Sequence, residues 1–217
     1  MVLNTGTTLC TLEDIVFTEQ ELHTIKIYEE EGIRKEIDDS PLDLDPFAAR
    51  TFARMRSKGR VLDIGCGHGR VVPVIADMGI EKEFYKGVDP SPAQISLAKD
   101  IYPDLNFEVG NIYQIGDAYP AHFDGFWCCM MLMHVPRDKV VQALKSLRKS
   151  LRVNAVGIIA TPCGAGTKRD EEGMEITLYD EAELKIFLER AGFRSSSYRP
   201  ISQPCVFDIQ VVSVVAV

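Results

Sequence analysis

The stretch Val61-Leu-Asp-Ile-Gly-Cys-Gly-His-Gly69-Arg70 decides the fold. Val61–Ile64 suits a short buried strand, and it runs straight into glycines at 65, 67 and 69. An apolar helical pattern follows from about Arg70 to Met78, closed by Gly79. Glycine lets the backbone approach a ligand without a Cβ in the way, and it takes the positive φ of a tight turn. The start of the helix behind the loop favours polar or anionic ligand groups. A dinucleotide loop spaces its glycines as G-x-G-x-x-G. Here Arg70 follows Gly69, so the third glycine comes one place early. Asp63 stands two residues before the first glycine, where a carboxylate repels a pyrophosphate but suits a ligand that bears positive charge.

Outward from this loop, strands and helices alternate. Strands are expected at Phe84–Val88, Asn106–Val109, Gly125–Met131 and Val156–Thr161, with helices at Pro92–Ile101, Asp138–Leu151 and Asp180–Ala191. Alternation of this kind implies a parallel sheet covered on both faces. The last two strands, near Phe193–Tyr198 and Val206–Val215, leave no room for a helix between them, so that pair must be antiparallel. The segment Cys163–Tyr179 carries Gly164, Gly166 and Gly173 and a charged run. It reads either as a specificity loop at the ligand edge or as a plain surface loop.

Two polar residues lie at strand tips. Asp89, in Gly87-Val-Asp-Pro-Ser91, ends the second strand. An acid there accepts hydrogen bonds from both hydroxyls of a ribose; its plainer use is to cap the helix that begins after Pro90. Asn111, in Gly110-Asn-Ile112, follows the third strand. Its amide suits an adenine edge with Ile112 against the ring, or it simply forms a turn.

These motifs resemble those of the class I S-adenosylmethionine-dependent methyltransferases, small bacterial members included. Val61–Gly69, Gly87–Ser91, Gly110-Asn111 and Phe123–Trp127 match that family's first four motifs, and Glu183-Leu with Ala191-Gly-Phe193 matches its late helix. The likeness spans about residues 60–200. It departs at Asn111, where an acid is commoner, and at Arg152–Val156, where many members have proline-glycine. The resemblance implies a Rossmann-like, doubly wound α/β sheet of seven strands in the order 3-2-1-4-5-7-6, with strand seven antiparallel. It implies S-adenosylmethionine as cofactor, and the candidate cofactor contacts are Asp63, Gly65, Cys66, Gly67, Gly69, Asp89, Pro90, Asn111, Ile112 and Cys128, with Tyr28 closing from the N-terminal segment.

A methyl sulfonium is intrinsically reactive, so placing a nucleophile in line with it is most of the task. A base is needed only where the acceptor must lose a proton. His134, in the loop after strand four, is the candidate catalytic residue, because it alone there titrates near neutral pH when unperturbed. The neighbouring Cys129 and Met130, Met131 and Met133 read as strand end and pocket lining. His68 reads as a solvent-facing turn residue.

Composition narrows the alternatives. The 217 residues are 46% hydrophobic and 26% charged, which excludes disorder and fibrous architecture. The net charge is −8, with no concentrated basic face for nucleic acid. The apolar runs fall short of a membrane span, and no secretory leader is visible, so a cytoplasmic protein with reduced thiols is expected. The six cysteines form no CxxC pair, which leaves a metal site without support. The acceptor is expected to be a small molecule, its identity and the oligomeric state staying open. A non-catalytic cofactor-binding module and a nicotinamide-dependent oxidoreductase are the rival readings.

Residues 1–45 hold three basic side chains against twelve acidic ones and read as a helical appendage on a domain of residues 46–217. Thr18–Glu31 suits one helix, with Thr18 and Glu21 as a capping box and a narrow apolar stripe. Asp38–Pro46 reads as a loop, and a second helix is expected from Asp45-Pro46 to Lys58. Being too short for a core of its own, the appendage is expected to cover the ligand edge as a lid.

Overall fold

The computed structural model describes residues 17–30, 59–201 and 209–217. The expected helix from Asp45 to Lys58, the acidic loop before it and the boundary at 45/46 lie outside the described residues.

Seven strands form one sheet: β1 (Val61–Ile64), β2 (Tyr85–Asp89), β3 (Asn106–Val109), β4 (Phe123–Cys129), β5 (Leu151–Pro162), β8 (Phe193–Ile201) and β9 (Ile209–Ala216). Their order is β3-β2-β1-β4-β5-β9-β8. The first five are mutually parallel, and β9 runs antiparallel between β5 and β8. This is the expected seven-strand order, with β8 and β9 as its sixth and seventh strands. Two further strands, β6 (Thr167–Arg169) and β7 (Glu175–Thr177), pair as a separate hairpin. The Cys163–Tyr179 segment is therefore an ordered hairpin and not a plain loop.

Helices cover both faces. On one side α2 (Val72–Asp77) and α3 (Pro92–Ile101) bring Val72, Ile75, Ile95 and Ala98 onto Val61, Trp127 and Ile158. On the other, α4 (Ile115–Ala118), α5 (Val140–Ser150) and α6 (Glu181–Arg190) bring Ile115, Leu144, Leu147 and Leu188 onto Leu62, Phe126 and Ile159. Successive strand residues feed opposite layers because side chains alternate across a strand. Each fully buried aliphatic or aromatic side chain contributes roughly 1.5–3 kcal/mol.

Local signals set the helix starts. The Ser91 hydroxyl accepts from Gln94 N at 3.2 Å, with Pro92 in the first turn of α3. Asp180 caps α6 through Glu183 N at 2.8 Å. The β5 strand begins five residues earlier than its apolar run suggests. Its pairing with β4 shifts between Phe123↔Leu151 and Gly125↔Val156, and Asn154 takes φ 66° in the intervening bulge. Asparagine tolerates that left-handed conformation better than most residues.

The helix α1 (Glu19–Ile27) starts at Thr18, whose hydroxyl accepts from Glu21 N at 3.2 Å while Glu21 Oε2 accepts from Thr18 N at 2.8 Å. Both halves of the expected capping box are formed. The helix lies across the C-terminal edge of the sheet, where ligands bind in such folds.

Candidate active site

A cavity of about 410 Å³ opens at that edge, within the range of small-ligand sites. Its floor is the glycine loop and the tips of β2, β3 and β4, its roof is α1, and one wall is the turn of the β6–β7 hairpin.

The glycine loop is shaped for backbone exposure. Gly65 N and Cys66 N donate to Val88 O at 2.8 and 3.2 Å, which ties the loop to β2. Gly67 has φ +52°, and a Cβ there would meet only Gln94 Oε1 at 3.6 Å, so the space beside it is open. Gly65 differs: its Cβ would lie 2.3 Å from Met131 Cγ. Gly69 does not line the cavity; its Cβ would strike the Tyr102 ring at 2.9 Å, so it serves the packing of loop against α3.

Asp89 lines the cavity with Pro90. Its oxygens accept from Gly67 N and Ser91 N, each at 2.9 Å, which fixes the carboxyl and leaves lone pairs for a ligand. Burial raises its pKa to about 6, against the lowering effect of those two donors. Asp63 sits beneath the floor, 1% exposed, and accepts from the Tyr85 hydroxyl at 2.9 Å. Burial pushes it to about 7. It supports the loop from below and does not touch the cavity.

Asn111 and Ile112 line the cavity beside Tyr113. The Asn111 carbonyl oxygen accepts from Tyr113 N at 2.8 Å and Gln114 N at 3.2 Å, and its amide donates to Gln114 Oε1 at 3.2 Å. The side chain thus forms the turn, and one amide hydrogen remains for a ligand. Cys66 and Cys129 line the cavity, but Cys128 is fully buried among core residues. The β4 alternation turns Cys128 away from the cavity, which corrects its reading as a cofactor contact. Burial raises the Cys129 thiol to about 12, so it is held as a neutral wall residue.

After β4 the chain turns sharply at Met130, with φ 54°. A short 3-10 turn over Leu132–His134 then brings His134 back under the roof. The Tyr28 hydroxyl lies 2.9 Å from His134 Nε2, and the rings meet edge to face at 5.2 Å. His134 Nδ1 is buried and has no hydrogen-bond partner among the described residues. Burial lowers the imidazole pKa to about 4, so the ring is neutral at physiological pH. Burial, with Asp89 and Asp170 nearby, likewise raises the Tyr28 phenol well above its ordinary value and keeps it protonated.

The roof is tied down at several points. Glu21, 7% exposed, accepts from the Tyr113 hydroxyl at 2.6 Å and from Lys139 Nζ at 3.1 Å. Gln20 and His23 reach the hairpin turn at Gly173 O (3.2 Å) and Glu172 O (3.1 Å). The Tyr28 carbonyl accepts from Gln94 Nε2, and Ser91 Oγ lies 3.3 Å from Glu29 Oε1. His68, read from sequence as solvent-facing, is instead buried, with Nδ1 at 3.2 Å from Gln94 Oε1. Gln94 thus joins loop to roof. Sequence reading missed Gln94 and Tyr113, and saw in Glu21 only a helix cap, because their partners lie far away in the chain.

The fit to S-adenosylmethionine can be judged from these residues. An open positive-φ glycine, an acid with free lone pairs at the second strand tip, and a polar turn at the third make a cradle for a nucleoside with a cationic tail. Among the described residues no cluster of His, Cys, Asp or Glu could hold a metal ion.

The fold is shared with solved methyltransferases. Residues 61–154 match the family described as "Methyltransferase domain". The 27-O-demethylrifamycin SV methyltransferase of Amycolatopsis mediterranei is 28% identical over 162 residues, 69% of this chain and 59% of that protein. The ubiquinone biosynthesis O-methyltransferase of Neisseria meningitidis is 32% identical over 131 residues, 57% of this chain and 53% of its own. The match therefore spans little more than half the length of these relatives. Among solved structures, the 1,6-didemethyltoxoflavin-N1-methyltransferase of Burkholderia thailandensis, with S-adenosylhomocysteine bound, aligns at TM-score 0.74 and 20% identity, over 90% of this chain and 87% of that one. The magnesium protoporphyrin IX methyltransferase of Synechocystis aligns at 0.69 and 16%, over 94% and 100%. The family match covers residues 61–154, and the likeness to the solved methyltransferases extends the same fold over most of the chain.

Proposed function

We propose that the protein transfers a methyl group from S-adenosylmethionine to a small-molecule acceptor. The observation that carries this reading is that the Gly67–Asp89 cradle and the His134–Tyr28 pair line the same cavity. Bound S-adenosylmethionine supplies an electrophilic methyl group on a sulfonium. Asp89 and the open backbone at Gly67 would hold its ribose, Ile112 would pack on the base, and the remaining Asn111 hydrogen would reach the base edge. The roof, from Phe17 to Tyr28, would exclude water and position the acceptor. As a lid it forms part of an N-terminal appendage of residues 1–45.

His134 would receive the acceptor proton at Nε2, where the Tyr28 hydroxyl now lies. An imidazole with pKa near 4 does not strip a hydroxyl in advance. The proton would move as the new bond forms and the acceptor oxygen becomes more acidic. Tyr28, whose hydroxyl lies on that nitrogen in this structure, would yield it to the acceptor on binding and so positions the ring only until then. The small volume of the cavity favours a small acceptor over nucleic acid. Among the described residues no helix is long and apolar enough to cross a membrane. Cys66, Cys128, Cys129 and Cys163 are free thiols, which suits a cytoplasmic location.

The test is incubation of the full chain with S-adenosylmethionine and a panel of hydroxylated and aminated aromatic compounds, followed by acceptor-dependent release of S-adenosylhomocysteine. Turnover with any member supports the reading. Tight cofactor binding without turnover across a broad panel would favour the non-catalytic module instead. A nicotinamide-dependent oxidoreductase would show nicotinamide binding in its place.

A further inference from the structure

The part of the cavity beyond His134 has a composition that selects its occupant. Met130, Met133, Val135 and Met174 give the lining an apolar share there, while Met131 packs against the glycine loop at Gly65. Methionine is polarisable and packs well against aromatic faces. The hairpin turn adds Asp170 and Glu172 at the rim. Across the whole cavity the described lining carries four carboxylates, Glu21, Asp89, Asp170 and Glu172, against one guanidinium, Arg70.

This wall is preformed. Asp170 Oδ1 accepts from Met174 N at 2.7 Å, and Gly173 N donates to Asp170 O at 3.2 Å, closing the turn. Arg137 anchors the hairpin by donating to Gly166 O at 2.9 Å and Leu178 O at 2.6 Å, with Glu183 paired to the same guanidinium. Thr177 Oγ1 reaches Val135 O at 3.3 Å. The turn is also tied to the roof through Gln20 and His23. The Asp170 carboxylate, held by Met174 N, keeps its place when a ligand arrives, and the Glu172 backbone is fixed by His23, so like charge on that ligand is not relieved by moving the turn.

We propose that the acceptor is a planar, apolar compound bearing a neutral hydroxyl, and that Asp170 and Glu172 on the hairpin turn exclude anionic acceptors. The inference rests on the methyltransferase reading and adds the substrate class and its gatekeepers. In the reaction the acceptor oxygen forms a bond to the methyl carbon. The carbon–sulfur bond breaks with its electron pair on sulfur, and the hydroxyl proton passes to His134 Nε2 and then to solvent.

The experiment is calorimetric titration of the full chain, saturated with S-adenosylhomocysteine, with 2-naphthol and 2-naphthoate. They share a ring system and differ in the charge of one substituent. The expected result is that naphthol binds at least tenfold tighter. D170N/E172Q removes both charges while the amide oxygen introduced at position 170 can still accept from Met174 N, and it should bring the ratio to within about threefold. M174Q should weaken naphthol at least fivefold and leave S-adenosylhomocysteine within threefold. Equal binding of the two probes by the wild type, or an unchanged ratio in D170N/E172Q, overturns the charge selection. Failure of both probes to bind overturns the acceptor class. If M174Q does not fold, the double variant decides alone. A wild-type chain that takes no S-adenosylhomocysteine yet prefers naphthol overturns the methyltransferase reading and leaves the selection standing.

Discussion

The two ends of the cavity are built differently. The proposed cofactor end comes from short contiguous motifs at the tips of β1, β2 and β3, where Gly67 and Asp89, 22 residues apart, are joined by a 2.9 Å hydrogen bond. The acceptor end is assembled from α1, the turn after β4 and the β6–β7 hairpin, whose contacts span most of the chain: Gln20 to Gly173, Tyr28 to His134, Glu21 to Lys139. The first is rigid sheet scaffold. The second consists of segments laid on that scaffold and stitched together by polar side chains. A fold divided this way can keep one cofactor while the stitched segments change the acceptor.

The largest effect expected from breaking this division is at Gly67. G67V puts a β-branched side chain at a positive φ and fills the space beside Asp89, so S-adenosylhomocysteine affinity should fall more than about a hundredfold. The fold should survive, because that Cβ meets no backbone. Thermal melting with and without the ligand reads both. G65A is the contrast: its Cβ collides with Met131, so the melting temperature itself should drop.

At the acceptor end, H134Q should lower kcat by about a hundredfold or more while leaving S-adenosylhomocysteine affinity within threefold, since a positioned base contributes roughly 10²–10⁴. Rapid-quench kinetics beside calorimetry separates the two quantities. E21A unfastens the roof from Tyr113 and Lys139, and should lower kcat about tenfold with a smaller change in cofactor affinity. Unchanged turnover in E21A would mean that the roof is packing and not a lid.

A smaller effect concerns the two buried acids. Asp63 has its folded pKa raised from 3.8 to about 7 by burial, so the folded state holds its proton more tightly than the unfolded state. Stability from this group is fully present below about pH 4 and is lost as pH rises to about 7. D63N removes that slope, so its melting temperature should gain on the wild type between pH 4 and 7 by a few degrees. Asp89, raised to about 6, lines the cavity. In the proposed role its ionised form would accept ribose hydroxyls, so cofactor affinity should rise with pH through 6 and level off above 7. A binding curve flat from pH 5 to 7.5 would detach Asp89 from the ligand.

How much was legible in the sequence follows the same division. The parallel strands and the antiparallel last pair could be read because buried strands are short apolar runs and no helix fits between the last two; the seven-strand order itself followed from the family resemblance. The capping box of α1 is local and was legible at Thr18 and Glu21, though what that helix covers was not. The Cys163–Tyr179 segment was noticed as a possible specificity loop, but its strands were not, because β6, Thr167–Arg169, is wholly exposed and shows no alternation. His68 was misread because its partner Gln94 lies 26 residues on. Cys128 and Cys129 were separable only by strand register, which a one-residue slip inverts.

The central claim is that the β2 tip holds the cofactor and the turn after β4 serves the acceptor. Paired calorimetric titrations of D89A and H134Q with S-adenosylhomocysteine at pH 7.5 test it most directly. The expected result is a weakening of about 1.5–3 kcal/mol in D89A, the range for hydrogen bonds to a charged group, and no more than threefold in H134Q. A folded D89A with wild-type affinity, or an H134Q that loses the ligand to the same extent, would contradict it.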